Sequence, residues 1–241
     1  MEFDSILERV VEGLLHVDSR TSLINASRRT GEVYLPGVKT LTERQFVSEV
    51  ANWWTQSNHE DFTPGVTLTT EVPYHGQRRQ SCDLVIGRGP DFADNDWAVE
   101  VKHIALVGNN GKNNDFGVAK ILSPYLKDRS LIHDIQRLRK SQMGRRKAVI
   151  GYCFDYSFET CDQAIARHPN ASEIVANLRD VCTKNDPAAG SLSVVPLLEF
   201  ADRIFTAEGL TQSLKLRSFD GAWRHPCGGR GHVFGWELKG D

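Results

Sequence analysis

Four short apolar runs limit what this chain can fold into. Residues 66–74 (VTLTTEVPY) are β-branched and aromatic, 82–87 (CDLVIG) are short and apolar, 97–104 (WAVEVKHI) are apolar but carry two charges, and 147–154 (KAVIGYCF) make a fourth run of the same kind. Such runs, bounded by turn residues, read as strands. Between the third and fourth lies 130–142 (SLIHDIQRLRKSQ), in which Leu131, Ile135 and Leu138 share a helical face and Ser130 stands where a cap belongs. Ahead of the first strand, Thr42 and Gln45 have the form of a capping box, and Phe46, Val50, Trp53 and Trp54 give the helix that follows its apolar side. The order is therefore helix, three strands, helix, strand. It predicts an α/β domain with a mixed central sheet flanked by helices.

The flanks are read more coarsely. Residues 1–16 form a helix with Phe3, Ile6, Val10 and Leu14 on one stripe, and the polar segment 18–40, with Gly31 and Pro36-Gly37, reads as loops or an arm. After the fourth strand come a helix near 160–183, a strand near 192–199, a short helix near 207–213 and a hairpin with Asp220-Gly221 as its turn signal and 232–239 as its last strand. The organisation is thus an N-terminal helix and arm (1–40), a core (41–154) and a C-terminal α/β extension packed on the same domain (155–241).

Composition narrows the function class. With 241 residues, 40% hydrophobic and 25% charged, the chain has a sizeable core available and is neither a disordered tail, a collagenous repeat nor a small disulfide scaffold. The 29 basic residues against 31 acidic ones leave a formal charge of −2, so contact with a polyanion must come from a local patch. No run approaches the length of a membrane span, and the acidic, amphipathic start is not a secretory leader, so a cytoplasmic protein without membrane contact is expected. The five cysteines, Cys82, Cys153, Cys161, Cys182 and Cys227, have no C-x-x-C spacing and read as buried thiols. Cys227 between His225 and His232 lacks a second ligand pair at zinc spacing.

The chemistry concentrates in two of the strands. Strand side chains alternate, so Ala98, Glu100 and Lys102 share one face, with the acid and the amine about 7 Å apart at Cα. Asp83 is a second acid inside an apolar strand, and hairpin pairing brings it beside Glu100. Two buried carboxylates raise one another's pKa, and a divalent cation removes that conflict. The pattern points to a Mg²⁺ site with a face open to water and phosphate, Mn²⁺ being the natural substitute. A third acid, Glu49, falls between Phe46 and Trp53 on the apolar stripe of its helix and is the preferred further metal or water contact. Glu43, at the helix start, is accounted for by the helix dipole. The simpler alternative for Asp83, Glu100 and Lys102 is a structural ion pair on a sheet.

Asp83, sixteen intervening residues and Glu100-Val101-Lys102, placed on two consecutive apolar strands within this element order, resemble the PD-(D/E)xK motif of the restriction-endonuclease-like nucleases. The resemblance covers about residues 41–154. It departs from the family pattern in having Cys82, not proline, before Asp83. It implies a restriction-endonuclease-like αβββαβ core and a metal-dependent endonuclease acting on DNA, in restriction, phage defence or repair. It further implies that Asp83, Glu100 and the Val101 carbonyl hold the metal, that Lys102 orients the attacking water or stabilises charge on the phosphate, and that the protein forms a homodimer. The alternatives are an RNA-directed nuclease and a catalytically silent nucleic-acid-binding or assembly module of the same fold.

A second copy of the spacing, Asp220 with Glu237 and Lys239, fails on context: Asp220 sits in a turn, and no helix and strand follow Lys239. For substrate contact the densest basic stretch is Arg137, Arg139, Lys140, Arg145, Arg146 and Lys147, with Gln136 one turn before Lys140. Arg78-Arg79 and Arg28-Arg29 are further candidates, and a solvated helix face is the plainer reading of the patch. Gly111-Lys112 lacks Walker spacing, Gly228-Gly229-Arg230-Gly231 does not join a strand to a helix, and Asp91, Asp94, Asp96 and Asp115 do not match a calcium loop.

Overall fold

The structure, a computed structural model, describes residues 1–21, 31, 33, 36–76, 80–89, 95–105, 118–125, 129–167, 172–185, 187, 190–222 and 229–240. Arg28, Arg29, Arg78, Arg79, His225 and Cys227 lie outside the described residues.

The element order is α1 (Phe3–Arg20), α2 (Glu43–Ser57), β1 (Thr67–Pro73), β2 (Ser81–Gly87), β3 (Asn95–His103), α3 (Val118–Leu122), α4 (Leu131–Lys140), β4 (Arg146–Phe154), β5 (Tyr156–Ser157), α5 (Phe158–Arg167), α6 (Ser172–Asn185), β6 (Ser191–Leu192), α7 (Val195–Ala207), β7 (Lys215–Phe219) and β8 (Gly231–Glu237). The main sheet is six-stranded and mixed, in the order β1-β2-β3-β4-β8-β7. β1, β2 and β3 pair antiparallel in sequence, β3 and β4 pair parallel across the α3–α4 connection, and β8 and β7 continue antiparallel. The C-terminal hairpin therefore extends the sheet on the far side of β4. No helix among the described residues is long and apolar enough to cross a membrane.

The alternation of the strands sorts the core into two layers. Leu84, Ile86, Trp97, Val99, Val101, Ala148 and Ile150 face one layer with the buried stripes of α1 and α2. Val85, Ala98, Val149 and Cys153 face the other, against Ile121, Leu131, Ile135 and Leu138 of α3 and α4 and Leu198, Ala201 and Phe205 of α7. α2 begins as its sequence dictates, with Thr42 Oγ1 accepting from the Gln45 amide at 3.2 Å and Gln45 Oε1 accepting from the Thr42 amide at 2.9 Å. Ser130 does stand at the N-cap of α4, but its buried hydroxyl donates to the Ser123 carbonyl at 2.6 Å and makes no cap hydrogen bond.

Three expectations for the C-terminal third are corrected. The helix near 160–183 is two helices, α5 and α6; the strand near 192–199 is the two-residue β6 followed by α7; and the helix near 207–213 does not form, α7 ending at Ala207. The apolar run Val194-Val195-Pro196-Leu197-Leu198 has strand composition. Pro196 falls in the first turn of α7, where its missing N–H is no loss, and Leu197, Leu198, Ala201 and Phe205 then fall on one buried helical stripe.

Candidate active site on strands β2 and β3

The antiparallel register that pairs Leu84 with Val99 carries on to set Asp83 across from Glu100. Asp83 is fixed from the side: its Oδ2 accepts from the backbone amide of Val101 at 2.7 Å. Set side by side on adjacent strands, the two carboxyl groups act directly on each other. Burial, and then the charge of Glu100, push the Asp83 carboxyl up to about 9; the Val101 amide offsets only part of this. At neutral pH Asp83 therefore keeps its proton while no cation is bound. Across β1 from Asp83, between the Thr70–Leu84 and Val72–Cys82 pairs, Glu71 takes a φ of 56°. That left-handed backbone is costly for a side chain with a Cβ, and the strain falls beside the carboxylate pair.

Glu100 is 2% exposed, and its Oε1 accepts from three donors: the Tyr74 hydroxyl at 2.5 Å and the Arg137 Nη2 and Nε at 2.6 and 3.2 Å. The Arg137 guanidinium lies 5.3 Å from the Tyr74 ring centre. Lys102, 7% exposed, stands between two further acids, with Nζ 3.2 Å from Glu43 Oε1 and 3.1 Å from Asp134 Oδ2. Burial by itself favours the neutral amine. The charges of Asp134 and Glu43 outweigh it and hold the ammonium protonated above its ordinary value. The other Glu43 oxygen accepts from the His103 amide at 2.8 Å. Asp134, 2% exposed, receives Arg137 Nη2 on Oδ1 at 2.7 Å. Its carboxyl stands at about 6, raised by burial and by Glu100 and held down by Lys102 and Arg137.

Of the residues singled out from sequence, Asp83, Glu100, Lys102 and Arg137 come together here, and Val101 joins them through its amide. Glu49 does not. It is exposed and lines a separate groove of 440 Å³ with His16, Arg20, Asn52, Trp53 and Gln56, between α1 and α2. The α2 acid at the site is Glu43. The buried stripe of α2 contains Val47, Val50 and Trp54, and Glu43 lies 4, 7 and 11 residues before them, the spacing of one helical face. Asp134 and Tyr74 were missed as well. Asp134 carries the signal wrongly credited to Glu49, since it falls among Leu131, Ile135 and Leu138 on the apolar stripe of α4.

The basic stretch does not form a single surface. Gln136 and Lys140 are exposed on α4. Arg145 pairs with Asp96, and Arg146 pairs with Glu237 and Glu2 over the Trp97 ring. Lys147 donates to the Arg139 carbonyl in the last turn of α4 and to the carbonyl of Ser141, the residue that follows it. Arg146 sits across from Trp97, five residues and roughly 16 Å along β3 from Lys102. Arg145 and Arg146 thus lie toward the other end of β3 from Lys102, each in an ion pair. The second D…ExK spacing is not assembled: Glu237 holds Arg146, while Asp220 caps its own turn by accepting from the Gly221 amide.

The donor set can be tested against a divalent cation. Glu43, Asp83, Glu100 and Asp134 face Lys102 and Arg137, an excess of two negative charges when all are ionised. Among the described residues no group of three or more His, Cys, Asp or Glu side chains stands close enough to hold a metal by itself. Mg²⁺ commonly takes only one or two carboxylates and fills the rest of its shell with water and substrate oxygens. The Asp83–Glu100 pair, with its mutual repulsion, supplies that minimum. Comparison with protein families, curated proteins and solved structures finds no match to this chain.

Proposed function

We propose that this chain is a metal-dependent endonuclease of the PD-(D/E)xK kind, hydrolysing phosphodiester bonds of DNA with Mg²⁺ or Mn²⁺. One observation carries the reading: Asp83 and Glu100 come side by side on adjacent strands, Asp83 held by the Val101 amide, with the buried Lys102 two residues beyond Glu100 on the same strand face. The order α2-β1-β2-β3-α4-β4, with α2 and α4 on opposite faces of the sheet, supports the restriction-endonuclease-like core.

Asp83 and Glu100 would hold the ion. When bound, it supplies charge neutralisation at the phosphate and a more acidic water. Lys102, kept protonated by Asp134 and Glu43, places a fixed positive charge where a phosphate gains negative charge during attack. Val101 keeps Asp83 turned toward Glu100.

The test is incubation with supercoiled plasmid, with and without Mg²⁺ or Mn²⁺. Nicking that needs the metal and disappears in Asp83→Ala and Lys102→Ala supports the proposal. A mobility shift without cutting under every metal replaces it with a silent binding module, and cutting of RNA alone redirects it to an RNA nuclease.

A further inference from the structure

The carboxylate that would bind the metal already has a cationic partner. Arg137 Nη2 lies 2.6 Å from Glu100 Oε1 and 2.7 Å from Asp134 Oδ1, so one guanidinium bridges a strand acid and a helix acid. We propose that Arg137 is a stand-in cation: it neutralises Glu100 in the metal-free protein, yields that carboxylate to the ion, and then clamps a phosphate of the substrate. The inference rests on the reading of Asp83 and Glu100 as a divalent-cation site.

The geometry separates the two attachments of Arg137. Glu100 belongs to β3, whereas Asp134 precedes Arg137 by three residues on α4 and moves with it. A dication at Glu100 cancels the charge that draws the guanidinium inward. It does nothing to the hold of Asp134, which keeps Arg137 beside the site. Unlike the Lys102 side chain, which is 9% exposed, the Arg137 side chain remains 26% exposed, so its outer edge meets solvent where a phosphate arrives. A guanidinium presents a planar fork of N–H groups that fits two phosphate oxygens at once, which an ammonium does not. The Tyr74 ring beside it gives the fork an aromatic flank in either position. Lys102 cannot take this part, because it is held by two acids, neither of them in the metal pair.

The competition is measurable without catalysis. Mn²⁺ affinity is titrated by electron paramagnetic resonance for the full chain, Arg137→Gln and Arg137→Lys. Binding of a short DNA duplex is then measured in Ca²⁺. Removing a positive charge this close to the ion tightens Mn²⁺ binding in Arg137→Gln by about tenfold and weakens duplex binding. Arg137→Lys keeps the charge but loses the fork, so Mn²⁺ affinity stays near that of the wild type while duplex binding falls. Unchanged or weaker Mn²⁺ binding in Arg137→Gln, with Arg137→Lys folded and wild-type-like, overturns the inference and makes Arg137 a strut for Glu100. A wild-type chain that binds no Mn²⁺ overturns the nuclease reading itself.

Discussion

The carboxylate of Asp83 accepts a 2.7 Å hydrogen bond from the backbone amide of Val101, the residue between Glu100 and Lys102. The acid of one strand is thereby fastened to the peptide that joins the acid and the amine of the next. The contact fixes where Asp83 points without neutralising it, and the burden of the Asp83–Glu100 pair falls on protonation or on a cation.

That burden predicts a pH-dependent stability. The Asp83 carboxyl titrates at about 9 in the folded, metal-free chain against 3.8 ordinarily. Between these values the folded state holds a proton that the unfolded chain has released, so stability falls as pH rises, by at most ~1.4 kcal/mol per pH unit. Asp134, at about 6, adds to the fall only at the lower end. In EDTA the Tm should drop steadily from pH 6.5 to 9, and Asp83→Asn should flatten that drop. A wild-type profile that is level across this range contradicts the assignment.

Glu43 and Glu49 lie on one helix, yet they should behave oppositely. Glu43→Gln removes one of the two charges that hold Lys102 and loosens its placement, so metal-dependent nicking should fall about tenfold or more. Glu49→Gln alters an exposed side chain on the α1 side of the helix, and nicking should stay within about twofold of wild type, the range of an ordinary surface change. Parallel plasmid assays of the two variants decide the matter. A larger loss in Glu49→Gln would restore the sequence-based choice.

Tyr74→Phe deletes a single hydroxyl while keeping the ring beside Arg137. Glu100 is buried and retains its Arg137 contacts, so roughly 1.5–3 kcal/mol of stability should be lost, the usual worth of a hydrogen bond to a charged group. Urea denaturation at pH 7 measures it. A neutral result would mean that Arg137 alone satisfies Glu100.

Gly151 tests the sheet that carries the site. It pairs with Phe234 across β4 and β8, and a Cβ there would come within 2.2 Å of the Phe234 ring. Gly151→Ala must displace a fully buried ring or the strand under it, so a loss of about 1–3 kcal/mol or more is expected, read as a lowered urea midpoint. An unshifted midpoint would show that β8 does not lie on β4 in this register.

The main frame was legible along the chain. Strands read as 66–74, 82–87, 97–104 and 147–154 appear as Thr67–Pro73, Ser81–Gly87, Asn95–His103 and Arg146–Phe154. Their β-branched and apolar composition and length left little alternative. The alternation of β3 also puts Glu100 and Lys102 on one face. The strand expected near 192–199 gives way to α7 from Val195, because apolar content does not separate a buried strand from the first turn of a buried helix; Pro196 in that first turn is the cue that does.

Local pattern settled which side chains share a face within one element: Glu100 with Lys102 on β3, and Asp134 with Leu131, Ile135 and Leu138 on α4. Only the packed molecule settled which faces meet. Glu43 reaches Lys102 across 59 residues and Arg137 reaches Glu100 across 37, from helices on opposite sides of the sheet. Such meetings follow from how α2 and α4 seat on the two sides of β3. That seating is set by the whole buried surface, because hydrophobic burial is summed over the core and has no direction of its own.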